Sequence, residues 1–186
     1  LERPEGLSGV ADILMADSRR MGTLRLVADV AGTDFWVGAG FLRAAVWDFL
    51  HGRAPSPPEG DVDVVWFDAG ACDAALDRAI EARLFASDPG EKWSVKNQAR
   101  MHARNGDTPY VSLADAIAHW PETATAIAAR VVDGRIEVLA PHGTEDLFSL
   151  TLRPTPTFAG EKYAVFAERV RSKRWLERWP RLRIAT

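Results

Sequence analysis

The stretch Asp61-Val62-Asp63-Val64-Val65-Trp66-Phe67 narrows the choice of fold more than any other part of the chain. Valines and aromatics dominate it, and the segment before it, Arg53 to Gly60, holds three prolines and a glycine and reads as a loop. The run predicts a strand, whose side chains alternate between faces. Val62, Val64 and Trp66 then share one face, while Asp61, Asp63, Val65 and Phe67 share the other. Two like charges on one face of so apolar a strand raise each other's pKa. Either that end reaches solvent, or a cation sits there.

The segments around this strand alternate between helical and extended patterns. Leu7, Val10, Ala11 and Leu14 recur at helical spacing, and Leu24, Val27 and Val30 continue it, with Gly22 as the expected division between two helices. Asp34 to Val37 predicts a short strand. A helix follows from Phe41, with Leu42, Ala45, Val46 and Phe49 on one face and Gly52 as its stop. Asp73 caps a helix carrying Leu76, Ile80 and Leu84. Trp93 to Met101 is expected to begin extended. Ser112 and Asp115 form a capping signature for a helix ending at Trp120-Pro121. Ala124 to Ala140 reads as a hairpin turning at Asp133-Gly134. A brief helix spans Glu145 to Leu150, and a last one, apolar through Tyr163, Phe166, Val170 and Leu176, runs from Lys162 to Trp179. This order predicts an α/β (α+β) fold with a small mixed sheet flanked by helices and a C-terminal amphipathic helix. A single domain over residues 1–186 is expected, with N-terminal helices in 1–33, the core in 34–152 and a basic helical segment in 153–186.

Charge limits the partners. The net charge is −3, so a general nucleic-acid or membrane footprint is absent. From Arg153 onward nine Lys/Arg face three Asp/Glu, a local +6. A solvated helix face is the plain reading of that excess, and phosphate contact the alternative. No run approaches the roughly 18 apolar residues of a membrane span, and the first residues lack a secretory pattern. The chain is therefore expected to be cytoplasmic. Cys72 is the single cysteine, which excludes a disulfide within these residues and a Cys-based zinc site, and it is read as a packing residue.

Three groups of residues can carry chemistry. In Gly38-Ala39-Gly40-Phe41-Leu42-Arg43 a strand gives way to a helix through two glycines. Helix N-termini present free N–H groups and partial positive charge, glycines admit a phosphate close to the backbone, and Arg43 offers a forked donor. A tight strand-to-helix turn is the alternative, and Arg43 stands where a dinucleotide fingerprint wants Gly or Ala. The second group is Asp61-x-Asp63, two carboxylates of the kind that hold Mg²⁺ with substrate phosphates. The third is Lys96-Asn97-Gln98-x-Arg100-x-His102, where Lys96, Gln98, Arg100 and His102 share a face if the segment is extended. Lesser candidates are Asp146, more simply a helix N-terminal acid, and Lys173 and Arg174, more simply a surface face. Trp36, Trp47, Trp66 and Trp120 are expected in the core, with Trp93 and Trp175 as possible stacking partners for a base.

The glycine turn followed by D-x-D on the next strand resembles the polymerase-β nucleotidyltransferase superfamily. Ala39-Gly40-Phe41-Leu42-Arg43 is similar to the G-G-x-V-R of its tRNA nucleotidyltransferase branch, with Ala39 replacing the first glycine. GAGFLRAAVWDFLHG, DVDVVWFD, WSVKNQARMH, TATAIAARV, APHGTEDLF and SKRWLERWP together look like a bacterial nucleotidyltransferase-like family, over most of Trp36 to Pro180. The resemblance implies that Asp61 and Asp63 hold Mg²⁺ and act catalytically, that Gly38, Gly40 and Arg43 bind the nucleotide's phosphates, and that a nucleoside monophosphate passes from an NTP to a hydroxyl. Lys96, from the third group, is the further nucleotide contact expected, as a compact charge on phosphate. The acceptor, whether small molecule, protein or RNA, is open. The superfamily usually adds a third carboxylate from a later strand. Its natural place here is Trp93 to Lys96, where Ser94 and Lys96 are not acidic. Glu137 and Glu91 are the substitutes to consider. Without one, a nucleotide-binding or regulatory protein of the same fold is the alternative, and a partner-binding protein using the basic C-terminal helix is a third.

Overall fold

The computed structural model describes residues 4–58, 60–71 and 73–185. The first two helices, α1 (Gly6–Met15) and α2 (Ser18–Ala31), part at Asp17 and not at Gly22. The Asp17 carboxylate accepts from the backbone N–H groups of Arg19 and Arg20 at 3.1 Å each. Such a cap contributes about 1 kcal/mol. An interior glycine costs about the same against Ala but leaves the helix bonds intact, so α2 runs through Gly22.

Five strands then assemble: β1 (Trp36–Gly38), β2 (Val62–Trp66), β3 (Trp93–Asn97), β4 (Ala128–Val132) and β5 (Arg135–Leu139). Their order is β3-β2-β1-β4-β5, with β2 and β3 parallel and the other neighbours antiparallel. This is the expected mixed sheet. Helix α4 (Ala75–Ser87) makes the crossover from β2 to β3 that a parallel pair requires. Asp133 and Gly134 turn the β4–β5 hairpin with φ of 49° and 75°, both positive as a type I′ turn demands. The hairpin is shorter than expected at its start. Glu122 to Ile127 forms tight turns, with Thr125 N–H donating to Glu122 O at 3.0 Å.

The two faces of the sheet have different covers. Val37, Val62, Val64, Trp66, Trp93, Val95, Ala129 and Val131 pack into the main core with α1, α2, α4 and α3 (Gly40–Leu50). The other face carries a smaller cluster of Val65, Ala126 and Ala128 with Ile117 of α6 (Leu113–Ala118), and it leaves the β2–β3 end open. Helix α3 is buried at every residue from Phe41 to Asp48. It lies between the N-terminal helices and the C-terminal segment, so Trp47 is enclosed and meets Trp175 and Trp179 edge-on at 5.9 and 5.1 Å. Asp48 is tolerated there because Trp179 Nε1 donates to it at 2.8 Å and Ser56 Oγ also donates.

The expected last helix is broken. It forms α8 (Tyr163–Ser172) and α9 (Trp175–Arg178), with Arg174 left-handed at φ 52° between them. The break turns Trp175 and Trp179 inward, whereas Tyr163 and Leu176, expected to face the core, are exposed. Phe49, Leu76 and Leu7 likewise lie outside it. Two very short strands, β6 (Thr151–Leu152) after α7 (Glu145–Phe148) and β7 (Arg183–Ile184), pair in parallel and fasten the tail. Among the described residues no helix is long and apolar enough to cross a membrane.

Candidate active site

The site begins at the turn from β1 into α3. Ala39 adopts φ 55°, ψ −124°, a conformation that costs a non-glycine residue about 1–3 kcal/mol. Its N–H donates to Ile127 O at 2.9 Å, which ties the turn to the segment entering β4. Ala39 supplies no side-chain cap, so the N–H groups of the first turn of α3 keep their capacity for an anion. The glycines on either side have packing reasons of their own. A Cβ on Gly38 meets Trp120 Cη2 at 2.8 Å, and one on Gly40 meets Arg43 Nη2 at 3.3 Å.

Arg43 is not poised in the open as the sequence implied. It is buried, with Nη1 donating to Thr125 Oγ1 at 2.9 Å and its guanidinium over the rings of Trp47 and Trp175 at 4.9 and 4.2 Å. Burial brings its pKa down to about 10, against the opposing charge of Glu122. The residue holds α3, the Thr125 turn and α9 together from beneath the site.

Asp61 is exposed just ahead of β2, and Asp63 is partly covered within it. Burial, then the charge of Asp61, raises the Asp63 pKa, and Arg169, Lys173 and Arg43 pull the other way. Trp36 pairs with Val65 and Val37 with Val64, so one further step sets Gly38 across from Asp63. On the other side Asp63 pairs with Ser94, and Val65 with Lys96. Asp63, the glycine turn and Lys96 therefore meet on the open face of the sheet, with Asp61 exposed two residues ahead of Asp63.

A cleft of about 350 Å³ opens on that face, bounded by Ala39, Asp63, Val65 and Lys96 on its floor. Met101, Arg104, Asn105 and Arg169 also line it, with Trp120 and Phe158 as flat apolar surfaces. Trp120, expected in the core, is a cleft residue, and its Nε1 donates to Gln98 Oε1 at 3.2 Å. The strand expected to carry Lys96, Gln98, Arg100 and His102 on one face ends at Asn97, where a 3₁₀ turn leads into α5 (Met101–Asn105). Asn97 Oδ1 causes the turn by accepting from Ala99 N–H at 3.0 Å. Lys96 and Gln98 stay in the cleft, Arg100 swings to Asp77, and His102 Nδ1 lies 2.7 Å from Ala99 O.

A family model described as nucleotidyltransferase matches residues 25–184. The chain belongs to this nucleotidyltransferase family. A solved protein whose NMR structure reveals a CCA-adding enzyme head domain is 28% identical, with a TM-score of 0.82 over 96% of this chain and 95% of that one. A CCA-adding enzyme in complex with CTP is 15% identical with a TM-score of 0.60, over 100% of this chain and 44% of that one. One in complex with ATP is also 15% identical, with a TM-score of 0.55 over 95% and 42%. The chain thus spans under half the length of these two enzymes, and their likeness is one of fold. No curated protein matches.

The nucleotidyltransferase's candidate third acids go elsewhere. Glu91 lies in the bend just ahead of β3, where it is buried and Arg19 Nη2 of α2 binds it at 2.6 Å. Glu137 shares the face of Asp63, but two strands, β1 and β4, separate β5 from β2, and Arg130 pairs with it at 2.7 Å. Among the described residues no three His, Cys, Asp or Glu side chains are grouped to hold a metal. Asp146 accepts from Thr123 Oγ1 at 2.8 Å and Arg153 Nε at 3.0 Å, a structural role. Trp93 Nε1 donates to Asp88 O at 2.9 Å within the core, and Trp175 cages Arg43, so neither stacks in the cleft. Arg174 pairs with Glu177 on the surface. Cys72 lies outside the described residues.

Sequence reasoning missed Arg169 and Glu122. Glu122 is fully buried, and Arg169 Nε lies 2.8 Å from its carboxylate. The only trace of this pair in the sequence is the positive excess of the C-terminal segment. Arg104, Asn105 and Phe158 were missed for a related reason, since a short helix and a 3₁₀ turn carry them without a periodic pattern.

Proposed function

We propose that the chain is a divalent-metal-dependent nucleotidyltransferase that binds a nucleoside triphosphate in the cleft and passes its nucleoside monophosphate to a hydroxyl acceptor. The observation that carries this reading is the placement of Asp63 across from the Gly38–Gly40 turn, with both on the open face. The donor set fits Mg²⁺, which favours one or two carboxylates completed by substrate phosphates. Burial first, and the like charge of Asp61 second, raise the Asp63 pKa, and a cation bound there offsets both. Bound there, Mg²⁺ supplies neutralisation of phosphate charge.

The chain's own groups bind and orient. The uncapped start of α3 donates backbone N–H groups to phosphate oxygens, Lys96 adds a compact positive charge, and Arg169, whose charge already acts on Asp63, lines the same cleft. Trp120, Met101 and Phe158 offer surface for a base, with Gln98 and Asn105 as polar readers. The acceptor oxygen bonds to the α-phosphorus as the bond to the β-phosphate bridging oxygen breaks, and pyrophosphate leaves. Calorimetric titration with Mg-nucleotide tests the assignment: the wild type binds and Asp63→Ala does not, while equal binding by both sinks it.

The neighbouring Ser94 and Lys96, where an acid was expected, favour a second reading in which nucleotide binds without transfer. Incorporation of labelled nucleotide into tRNA, protein or small-molecule hydroxyls separates the two. The cytoplasm is the expected location in either case.

A further inference from the structure

The corner of the cleft beside Asp63 has a composition of its own. Strands β2 and β3 run parallel in register, so Ser94 is the cross-strand neighbour of Asp63 and Lys96 that of Val65. Ser94 offers a neutral hydroxyl, a weak partner for a divalent cation beside a carboxylate. Lys96 stands one strand over and two residues further along, and it lines the cleft together with Asp63. Among the described residues Lys96 has no ion pair, whereas Arg169 is matched by Glu122 and Arg100 by Asp77. Of the cations whose charge acts on Asp63, Arg43 is caged by indoles, Arg169 is matched by Glu122, and Lys173 is not among the residues lining the cleft.

Sites that hold two divalent ions keep them about 3.5–4 Å apart, with ligands for both. Among the described residues two carboxylates serve the site, and the adjacent positions hold a hydroxyl and an ammonium. An ammonium repels a second cation and can itself neutralise phosphate oxygens. We propose that the cleft takes one divalent cation with each nucleoside triphosphate, on Asp61 and Asp63, and that the Lys96 ammonium supplies the positive charge that a second ion would bring. This rests on the reading of the cleft as a nucleotide site. It assigns Lys96 a role in metal stoichiometry as well as in binding.

Native mass spectrometry with Mn²⁺ and the four α,β-methylene ribonucleoside triphosphates counts the ions in each complex. The wild type is expected to carry one Mn²⁺ per bound nucleotide. Lys96→Ala weakens nucleotide binding about tenfold, in keeping with loss of a hydrogen bond to a charged group, while Lys96→Arg stays within about threefold because the charge remains. The double variant Ser94→Asp, Lys96→Ala carries two ions. Two Mn²⁺ on the wild type, or Lys96→Ala binding as tightly as the wild type, overturns the proposal and leaves the nucleotide site standing. A double variant still carrying one ion overturns the assignment of the corner to Ser94 and Lys96. A wild type that forms no nucleotide complex with any of the four analogues overturns the reading of the cleft, and this proposal with it.

Discussion

The two faces of the central sheet are one residue apart in sequence and opposite in chemistry. Val62, Val64 and Trp66 point into the helix-covered core, and Asp63 and Val65 between them point to the cleft side. β3 repeats the division, with Trp93 and Val95 inward and Ser94 and Lys96 outward. Charge is costly on one face because water is excluded there, and useful on the other because a ligand can answer it. The same contrast separates two arginines. Arg43 is enclosed and holds elements together, while Arg169 reaches the cleft edge and is matched by a buried acid.

The largest effect is expected from placing a charge on the wrong face. Val64 has no exposure, so Val64→Asp loses more than about 4 kcal/mol, and urea denaturation should find it largely unfolded. Ser94→Asp, on the cleft face, should stay within about 1 kcal/mol of the wild type. Equal losses would remove the distinction between the faces. Next comes Trp175→Ala, which opens a large cavity and uncovers Arg43. A loss of about 3–5 kcal/mol is expected in the same assay.

Arg169→Ala leaves Glu122 buried without its partner. It should cost about 1–3 kcal/mol, and Glu122→Gln in the same chain should recover part of the loss. Full additivity of the two changes by thermal melting would mean that they do not interact.

Asp63 gives a pH test with a defined sign. Its folded pKa is raised, so the native state holds a proton that the unfolded state has released, and stability falls as pH rises from the ordinary Asp range through the raised value. Without divalent ions, Asp63→Asn should therefore be more stable than the wild type at neutral pH, by about 2–4 °C in Tm for each kcal/mol relieved. At a pH below both values the difference should vanish. The smallest effect belongs to Arg174→Ala, whose ion pair with Glu177 is on the surface, and its Tm should match the wild type.

Much of this could be read along the chain. Alternation in DVDVVWF is a local property of the backbone, and it assigned both faces of β2 correctly. The strand, glycine turn and helix from Trp36 onward follow from residues next to one another, as does the I′ turn at Asp133-Gly134. The Asp17 cap was equally local, yet Gly22 drew the expected helix boundary away from it, although an interior glycine leaves the helix bonds intact and a capping carboxylate marks a true start.

Tertiary structure decided the rest, since nothing local encodes which distant groups meet. Glu91 and Glu137 were both plausible acids by composition. The bend before β3 puts the first against Arg19 of α2, and the sheet order sets β1 and β4 between the second and β2, beside Arg130. Arg43 looked like a phosphate ligand until the break at Arg174 brought Trp175 over it. Glu122 and Arg169 are 47 residues apart in number, and only the path of the tail past the cleft gives that acid a partner. Periodicity speaks for the face a side chain takes on its own strand, whereas burial, register between strands and the pairing of charges belong to the assembled chain.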